Sequence, residues 1–160
     1  MSIGIFSLIV LIFSVVIHEV SHGLAARALG DKTAEYEGRL TLNPIKHIDP
    51  FGSVILPLIL YLTGSSFLVG YAKPVPYNPY NFDFKWRQWG DALVAAAGPA
   101  SNILIALIFA GIFRLLPYFD ISSSLIYSAA PLIVSIIITN ITLALFNMVP
   151  VPPLDGSKIL

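Results

Sequence analysis

Two histidines and a glutamate form the sequence HEVSH, with His18 and His22 four residues apart and Glu19 between them. On an α-helix this spacing brings both imidazoles to one face, where they can bind one Zn²⁺. The glutamate then lies beside the water that the metal activates and can act as its base. The three residues end a run of fifteen uncharged residues, Ile3 to Ile17. Because ionisable side chains are costly at membrane depth, their presence there indicates a functional site.

Composition indicates a membrane protein of one domain. Of the 160 residues, 56% are apolar and 11% are charged, whereas soluble domains carry about 25% charged residues. Nine basic residues balance nine acidic ones, so no basic face is available for nucleic acid. The absence of cysteine leaves His, Asp and Glu as metal ligands. We predict a single domain over residues 1–160. Its N-terminal stretch is expected to be a retained helix, since no basic region or cleavage site precedes His18.

Three apolar stretches are long enough to cross a hydrocarbon core of about 30 Å. They predict spanning helices within Ile3–Leu29, Ala92–Leu116 and Leu125–Val149. The polar segments between the apolar stretches alternate as strands do at Arg39–Leu42 and, more weakly, at Tyr71–Val75. We therefore predict a mainly α, polytopic membrane protein whose three spanning helices form the catalytic core, with small β elements in its polar segments.

A further apolar stretch, Phe51–Val69, is shorter and is interrupted by Pro57 and by a Thr-Gly-Ser-Ser sequence. These breaks favour a re-entrant or short interfacial segment over a spanning helix. If this stretch does not cross the membrane, eight of the nine basic residues lie on one side, and only Arg114 lies on the other. The positive-inside rule then places the polar segments in the cytoplasm and the N-terminus outside.

A catalytic zinc site uses three protein ligands and an open position, so the two histidines need a partner. The candidates are the other acidic residues and the third histidine: Asp31, Glu35, Glu37, Asp49, Asp83, Asp91, Asp120, Asp155 and His47. Asp155 stands apart because it follows the last apolar stretch, in a loop where three prolines end the helix and Gly156 permits a tight turn. An ordinary interfacial loop with a capping Asp is the alternative.

Membrane depth connects Asp155 with the histidines. A helix that starts near Ile3 reaches His18 after about 22 Å, which leaves roughly 8 Å to the cytoplasmic boundary. Asp155 lies on that side only if Phe51–Val69 makes no net crossing, which is the arrangement that the charge distribution favours.

Three motifs together resemble the site-2 protease family of intramembrane zinc metalloproteases: HEVSHG, GPASN at Gly98–Asn102, and the segment from Asn147 to PPLDG. The likeness covers nearly the whole chain in the family's motif order. The segments LNPIKHIDPFGS and GYAKPVPYNP are similar to the compact bacterial and archaeal branch without a PDZ insertion. One departure is that this sequence stops five residues after Asp155 of the DG motif, where family members usually continue.

The resemblance implies roles for five residues. His18, His22 and Asp155 would bind zinc, one ion per chain, and Glu19 would be the catalytic base. Asn147 would assist the substrate carbonyl.

Two further asparagines lie within the predicted helices. Asn102 is costly in lipid and should face protein, while Asn140 and Asn147 are seven residues apart and share one helix face. We predict that Asn102 and Asn140 contribute to substrate binding, with interhelical hydrogen bonding as the alternative.

The sequence thus predicts a zinc metalloendopeptidase that takes part in regulated intramembrane proteolysis. The enzyme would lie in the lipid bilayer of a prokaryotic cell membrane. Its partner would be a transmembrane protein or peptide that is cut near the cytoplasmic side. Edges at Arg39–Leu42 or Tyr71–Val75 could pair with the unwound substrate. A membrane zinc transporter or a non-catalytic binding scaffold is the alternative. No internal repeat supports transport, and a glutamate beside the first histidine is what hydrolysis needs.

Overall fold

A computed structural model describes residues 3–64, 70–119 and 122–159. Its α-helices, in chain order, are α1 (Ile3–Ala28), α2 (Thr33–Tyr36), α3 (Leu56–Leu62), α4 (Gly90–Leu115), α5 (Ser123–Asn147) and α6 (Gly156–Ile159). Helices α1, α4 and α5 are long and apolar enough to cross a membrane. The predicted mainly helical fold with three helices of spanning length is therefore confirmed.

The three long helices form a bundle in which each packs against the other two. Their outward faces carry exposed apolar side chains, such as Leu8, Leu104 and Leu145. The inward faces bury small and polar residues instead. This inversion is typical of membrane bundles, because apolar side chains gain nothing by leaving lipid whereas polar groups need partners.

Helix α4 reaches the centre of the bundle through small residues. Ala95 and Gly98 are buried, and the helix continues through the fully buried Pro99. Without a Cβ or with only a short side chain, these positions let the α4 backbone approach α1 closely.

No strand forms among the described residues, so the prediction of β elements at Arg39–Leu42 and Tyr71–Val75 is wrong. A β ladder needs a second extended backbone alongside the first. The N–H groups of residues 71, 73 and 75 instead donate to three separate acceptors, the carbonyls of Gly52 and His47 and the side chain of Glu19. Since those donors are occupied, the edge of this segment that carries them is not free for strand addition, and pairing of either segment with a substrate stays a prediction.

The shorter apolar stretch is helical over thirteen residues, as a π-helix (Pro50–Ile55) that continues into α3. At 1.5 Å per residue it is at most about 20 Å long, which is too short to cross a bilayer. The remainder of the predicted stretch, residues 65–69, lies outside the described residues. Tyr71, which follows this stretch in the sequence, lies next to the beginning of the stretch. Its N–H donates to the Gly52 carbonyl at 3.2 Å, and its carbonyl accepts from Ser53 Oγ at 2.8 Å.

Candidate metal centre

The two histidines of α1 and the aspartate before α6 converge in the bundle. The Nε2 atoms of His18 and His22 are 3.0 Å apart, and Asp155 Oδ2 lies 3.0 Å from the first and 3.3 Å from the second. The side chains are 7%, 10% and 17% exposed. In a tetrahedral site with bonds of about 2.0–2.1 Å, neighbouring ligand atoms lie about 3.3 Å apart. The triangle therefore has the size of one face of a zinc coordination sphere.

Hydrogen bonds on the far side of each imidazole fix where the ring protons lie. His18 Nδ1 is 2.7 Å from Asn102 Oδ1, and His22 Nδ1 is 2.7 Å from the Val94 carbonyl. Both partners are acceptors, so each Nδ1 carries a proton, and in the neutral imidazole Nε2 then presents a lone pair. Asp155 Oδ2 is buried without a hydrogen-bond donor. Three electron pairs thus meet with no proton between them, and this donor set fits a divalent cation.

Asn102 is the first member of a buried polar chain that joins all three long helices. Its Nδ2 donates to Asn140 Oδ1 at 2.9 Å, and Asn140 Nδ2 donates to Ser14 Oγ at 3.0 Å. Because the Asn102 NH2 group is the donor to Asn140, the Asn102 oxygen accepts from His18. Both asparagines are 0% exposed. Their contacts favour the interhelical alternative, and substrate binding by either stays a prediction.

Gly98 brings the α4 backbone against the metal-binding face. A Cβ at this position would lie 2.6 Å from His18 Nε2 and closer still to His22 Nε2. Since real Cβ contacts are not that short, any side chain at Gly98 would displace the imidazoles. The GPASN segment thus contributes both the space for the two rings and the oxygen that orients one of them.

The loop that carries Asp155 is held against the end of α5. Its Pro152–Pro153 peptide is cis. A Cβ at Gly156 would overlap the carbonyl of Met148. The Ser157 N–H donates to the Leu154 carbonyl at 3.1 Å across Asp155 and Gly156, so a tight turn does form here, although Gly156 is not among the described glycines with positive φ. The absence of a side chain matters instead, because α6 starts directly against the α5 backbone.

Tyr77, in the polar segment before α4, contacts helix α6, which follows the Asp155 loop. Lys158 Nζ donates to the Tyr77 hydroxyl at 3.3 Å, and its ammonium lies 5.2 Å from the centre of the ring. Burial raises the pKa of Tyr77, and the carboxylates of Asp91 and Asp155 raise it further. The phenol therefore stays neutral at physiological pH. No quoted motif includes Ser14 or Val94, so sequence reasoning missed both, and it assigned no role to Tyr77 within the GYAKPVPYNP segment.

The other two predicted catalytic residues have different environments. Glu19 follows His18 on α1, and its Oε2 accepts a hydrogen bond from the Val75 N–H at 2.9 Å. Asn147 ends α5, and its Nδ2 donates to the Leu143 carbonyl in the preceding turn. Among the described contacts, none joins Asn147 to the three converging ligands, so its catalytic part stays a prediction.

The remaining candidate ligands are used elsewhere. Asp31 is fully buried and accepts hydrogen bonds from the Asn78 N–H, Asn81 and Thr33. Burial raises the pKa of Asp31, but these hydrogen bonds lower it more, so it lies below its usual value. Three of the other candidates, Glu37, Asp83 and Asp91, are exposed on the surface. Asp49 caps the π-helix, and Glu35 forms an ion pair with Arg27. His47 forms a hydrogen bond with the Thr41 carbonyl. Asp120 lies outside the described residues.

A bundle of apolar helices around a buried His-His-Asp group defines a membrane protein with a metal-binding centre. Residues 6–130 match the model of Peptidase family M50. The chain belongs to this family, the site-2 protease family, as the sequence motifs predicted.

Three relatives carry names that agree with this assignment. The chain is 38% identical over 154 residues to "Putative zinc metalloprotease YwhC" of Bacillus subtilis (strain 168), covering 95% of this chain and 66% of the relative. It is 31% identical to "Putative zinc metalloprotease MJ0611" of Methanocaldococcus jannaschii, covering 97% and 72%. It is 30% identical to "Putative zinc metalloprotease Rip2" of Mycolicibacterium smegmatis, covering 96% and 56%.

The chain thus spans 66% and 56% of the lengths of YwhC and this Rip2. No solved structure matches it.

Proposed function

We propose that this chain is an intramembrane zinc metalloprotease that hydrolyses peptide bonds of membrane-spanning substrates near the cytoplasmic side. The observation that carries the proposal is the convergence of three lone pairs from His18, His22 and Asp155 beside a glutamate, inside a bundle of spanning length. The family and the printed names of its relatives agree with it.

His18, His22 and Asp155 would hold the zinc ion. When bound, zinc supplies the Lewis acidity that makes water a nucleophile at neutral pH. Asn102 and the Val94 carbonyl keep both imidazoles in the tautomer that presents Nε2 to the metal. Such outer partners typically change metal affinity by about 10- to 100-fold.

Glu19 would act as general base. Its carboxylate accepts the proton of the attacking water and returns it to the leaving amine. Asn147 would donate a hydrogen bond to the oxyanion of the substrate once its side chain leaves the Leu143 carbonyl. A substrate helix hides its carbonyls in intrahelical hydrogen bonds, so its scissile region must unwind before attack.

We further propose that Phe51–Val69 enters the membrane without crossing it, with the N-terminus outside a prokaryotic cell membrane. Hydrogen bonds from Tyr71 to Gly52 and from Ser53 to Tyr71 support this, because the two ends of a crossing would be separated by about 30 Å. The resulting distribution of basic residues agrees with the positive-inside rule.

The metal ligands are tested by zinc analysis of purified wild type, Asp155→Ala and Glu37→Ala. Asp155→Ala is expected to lose bound zinc, whereas Glu37→Ala removes an exposed carboxylate and should keep it. Stoichiometric zinc in Asp155→Ala would remove Asp155 from the ligand set.

The activity is tested in liposomes that contain a panel of single-span substrates. Wild type is expected to cut within the membrane near the cytoplasmic side, and Glu19→Gln should lose cleavage while it keeps zinc. Cleavage that survives Glu19→Gln would contradict the role of Glu19. Zinc flux without cleavage, unchanged by Glu19→Gln, would favour the transporter instead.

A further inference from the structure

The sequence Pro74-Val75-Pro76 contains one backbone N–H, because proline has none. That single donor, on Val75, faces Glu19 and lies 2.9 Å from its Oε2. Val75 is buried, and its side chain packs against α1 where Gly23 leaves room for it. The segment is therefore seated directly on the helix face next to the metal ligands.

Independent hydrogen bonds fix this segment on both sides of Val75. The Lys73 N–H donates to the His47 carbonyl at 2.9 Å. The buried Arg39 donates from one NH2 group to the carbonyls of Lys73 and Pro74, at 2.8 and 3.3 Å. Downstream, the Asn78 N–H donates to Asp31 at 2.7 Å. The Val75 N–H is thus part of a preorganised frame, as positioning groups need to be.

We propose that the main-chain N–H of Val75 is the positioning group of the general base. By binding Oε2 it stops the Glu19 carboxylate from rotating, so that the other oxygen is presented to the attacking water. Bonds between an N–H and a carboxylate are short and directional, which makes this donor suited to the task. The inference rests on the proposed protease function, since a positioning group is useful only if Glu19 acts as a base.

The test removes this N–H and compares the effect on activity with that of removing another N–H in the same segment. Val75→Pro removes the donor to Glu19, and Lys73→Pro removes the donor to His47; both residues precede a proline. Val75→Ala and Lys73→Ala measure the loss of each side chain alone. Replacing the amide by an ester at residue 75 or 73 removes the same N–H and keeps the side chain, in case a proline variant does not fold.

Misplacement of a catalytic group by about 1 Å can cost on the order of 100-fold in rate. We expect the residue 75 ester and Val75→Pro to lower kcat at least about 10-fold beyond Val75→Ala, with zinc content and KM kept. The changes at residue 73 remove one hydrogen bond of the frame but leave the donor to Glu19 in place, so they should lower kcat less than the changes at residue 75. The proposal would be overturned if the changes at residues 73 and 75 lowered kcat equally, or if the variants at residue 75 kept the wild-type kcat. It would also be overturned if the variants at residue 75 raised KM and left kcat unchanged.

A second readout needs neither metal nor substrate. The infrared carboxylate bands are recorded on zinc-free protein labelled with ¹³C-glutamate. The chain has three glutamates, and the band that disappears in Glu19→Gln belongs to Glu19. The ester at residue 75 is expected to shift this band, and the ester at residue 73 is not. An unshifted band would overturn the proposal while leaving the protease function intact. A zinc-loaded wild type that cuts no substrate would overturn both.

Discussion

At the scale of residues, the metal centre depends on groups that never touch the metal. Asn102 and the Val94 carbonyl accept from the Nδ1 atoms of His18 and His22, and so turn both Nε2 lone pairs toward Asp155. The HEVSH motif supplies the imidazoles but leaves their tautomers open. The bundle supplies the acceptors, from a different helix.

Asn102→Ala removes the acceptor of His18 and is expected to weaken zinc binding about 10- to 100-fold. Titration with a competing chelator measures this affinity. Ser135→Ala is the control, because it removes another interhelical hydrogen bond, between Ser7 and Ser135, in a different part of the bundle. If both variants bind zinc as wild type does, Asn102 has no part in orienting His18.

Gly98→Ala is expected to abolish stoichiometric zinc binding, since the added Cβ overlaps both imidazole rings. Gly111→Ala is the matched control in the same helix, where a Cβ meets no atom within 4 Å. It should keep zinc and, if anything, stabilise α4 by up to about 1 kcal/mol, because alanine favours helix over glycine. Full zinc occupancy in Gly98→Ala would mean that α4 can move away without harm to the site.

At the scale of elements, the polar segments act as a frame around α1. Asp31 is central to this frame, because its buried carboxylate holds the segment at Asn78 and Asn81 next to the end of α1. The sequence placed Asp31 among nine possible metal ligands, and nothing in its spacing separated a structural carboxylate from a ligand.

Asp31→Asn is expected to lower the free energy of unfolding by about 2 kcal/mol at pH 7, since hydrogen bonds to charged groups contribute about 1.5–3 kcal/mol. The folded pKa of Asp31 lies below its unfolded value. Its stabilisation is therefore present above about pH 4 and is lost as the pH falls through the lower, folded pKa. Unfolding in detergent from pH 7 to pH 3 should show a constant difference between the two proteins that narrows only at the acid end. A difference that grows on acidification would contradict this role.

At the scale of the whole molecule, the site exists only if its two halves share one side of the membrane. If helices α4 and α5 both cross the membrane, as proposed, they leave one face and return to it, and the compartment of Asp155 then depends on the stretch between α1 and α4. Hydrogen bonds between residues 52–53 and 71 bring the two sides of that stretch together, as the proposed re-entrant arrangement requires.

Single cysteines at Lys46 and Lys73 test this topology, because the natural chain has none and both side chains are exposed. A membrane-impermeant thiol reagent is expected to label both from the cytoplasmic face of oriented vesicles. The cysteine-free parent is the control for unspecific labelling. Labelling from opposite faces would place Asp155 away from the histidines and would contradict the ligand set.

The sequence by itself determined the features that depend on local spacing and on composition. Apolar runs determined the three long helices, because the bilayer requires a minimum length of apolar chain. The spacing of His18 and His22 determined a shared helix face, because helical periodicity is local. Motif order determined the family.

Only the tertiary structure decided which distant groups meet. The alternation at Tyr71–Val75 resembled a strand, yet its donors go to Gly52, His47 and Glu19, because tertiary contacts outweigh local pattern. Local sequence favoured a tight turn at Gly156, and the turn forms, but only the tertiary structure shows that this glycine also packs against the Met148 backbone. Asp155 lies 133 positions after His22, and the Val75 N–H lies 56 positions after Glu19. Contacts between residues so far apart depend on how the helices pack, which no local spacing encodes.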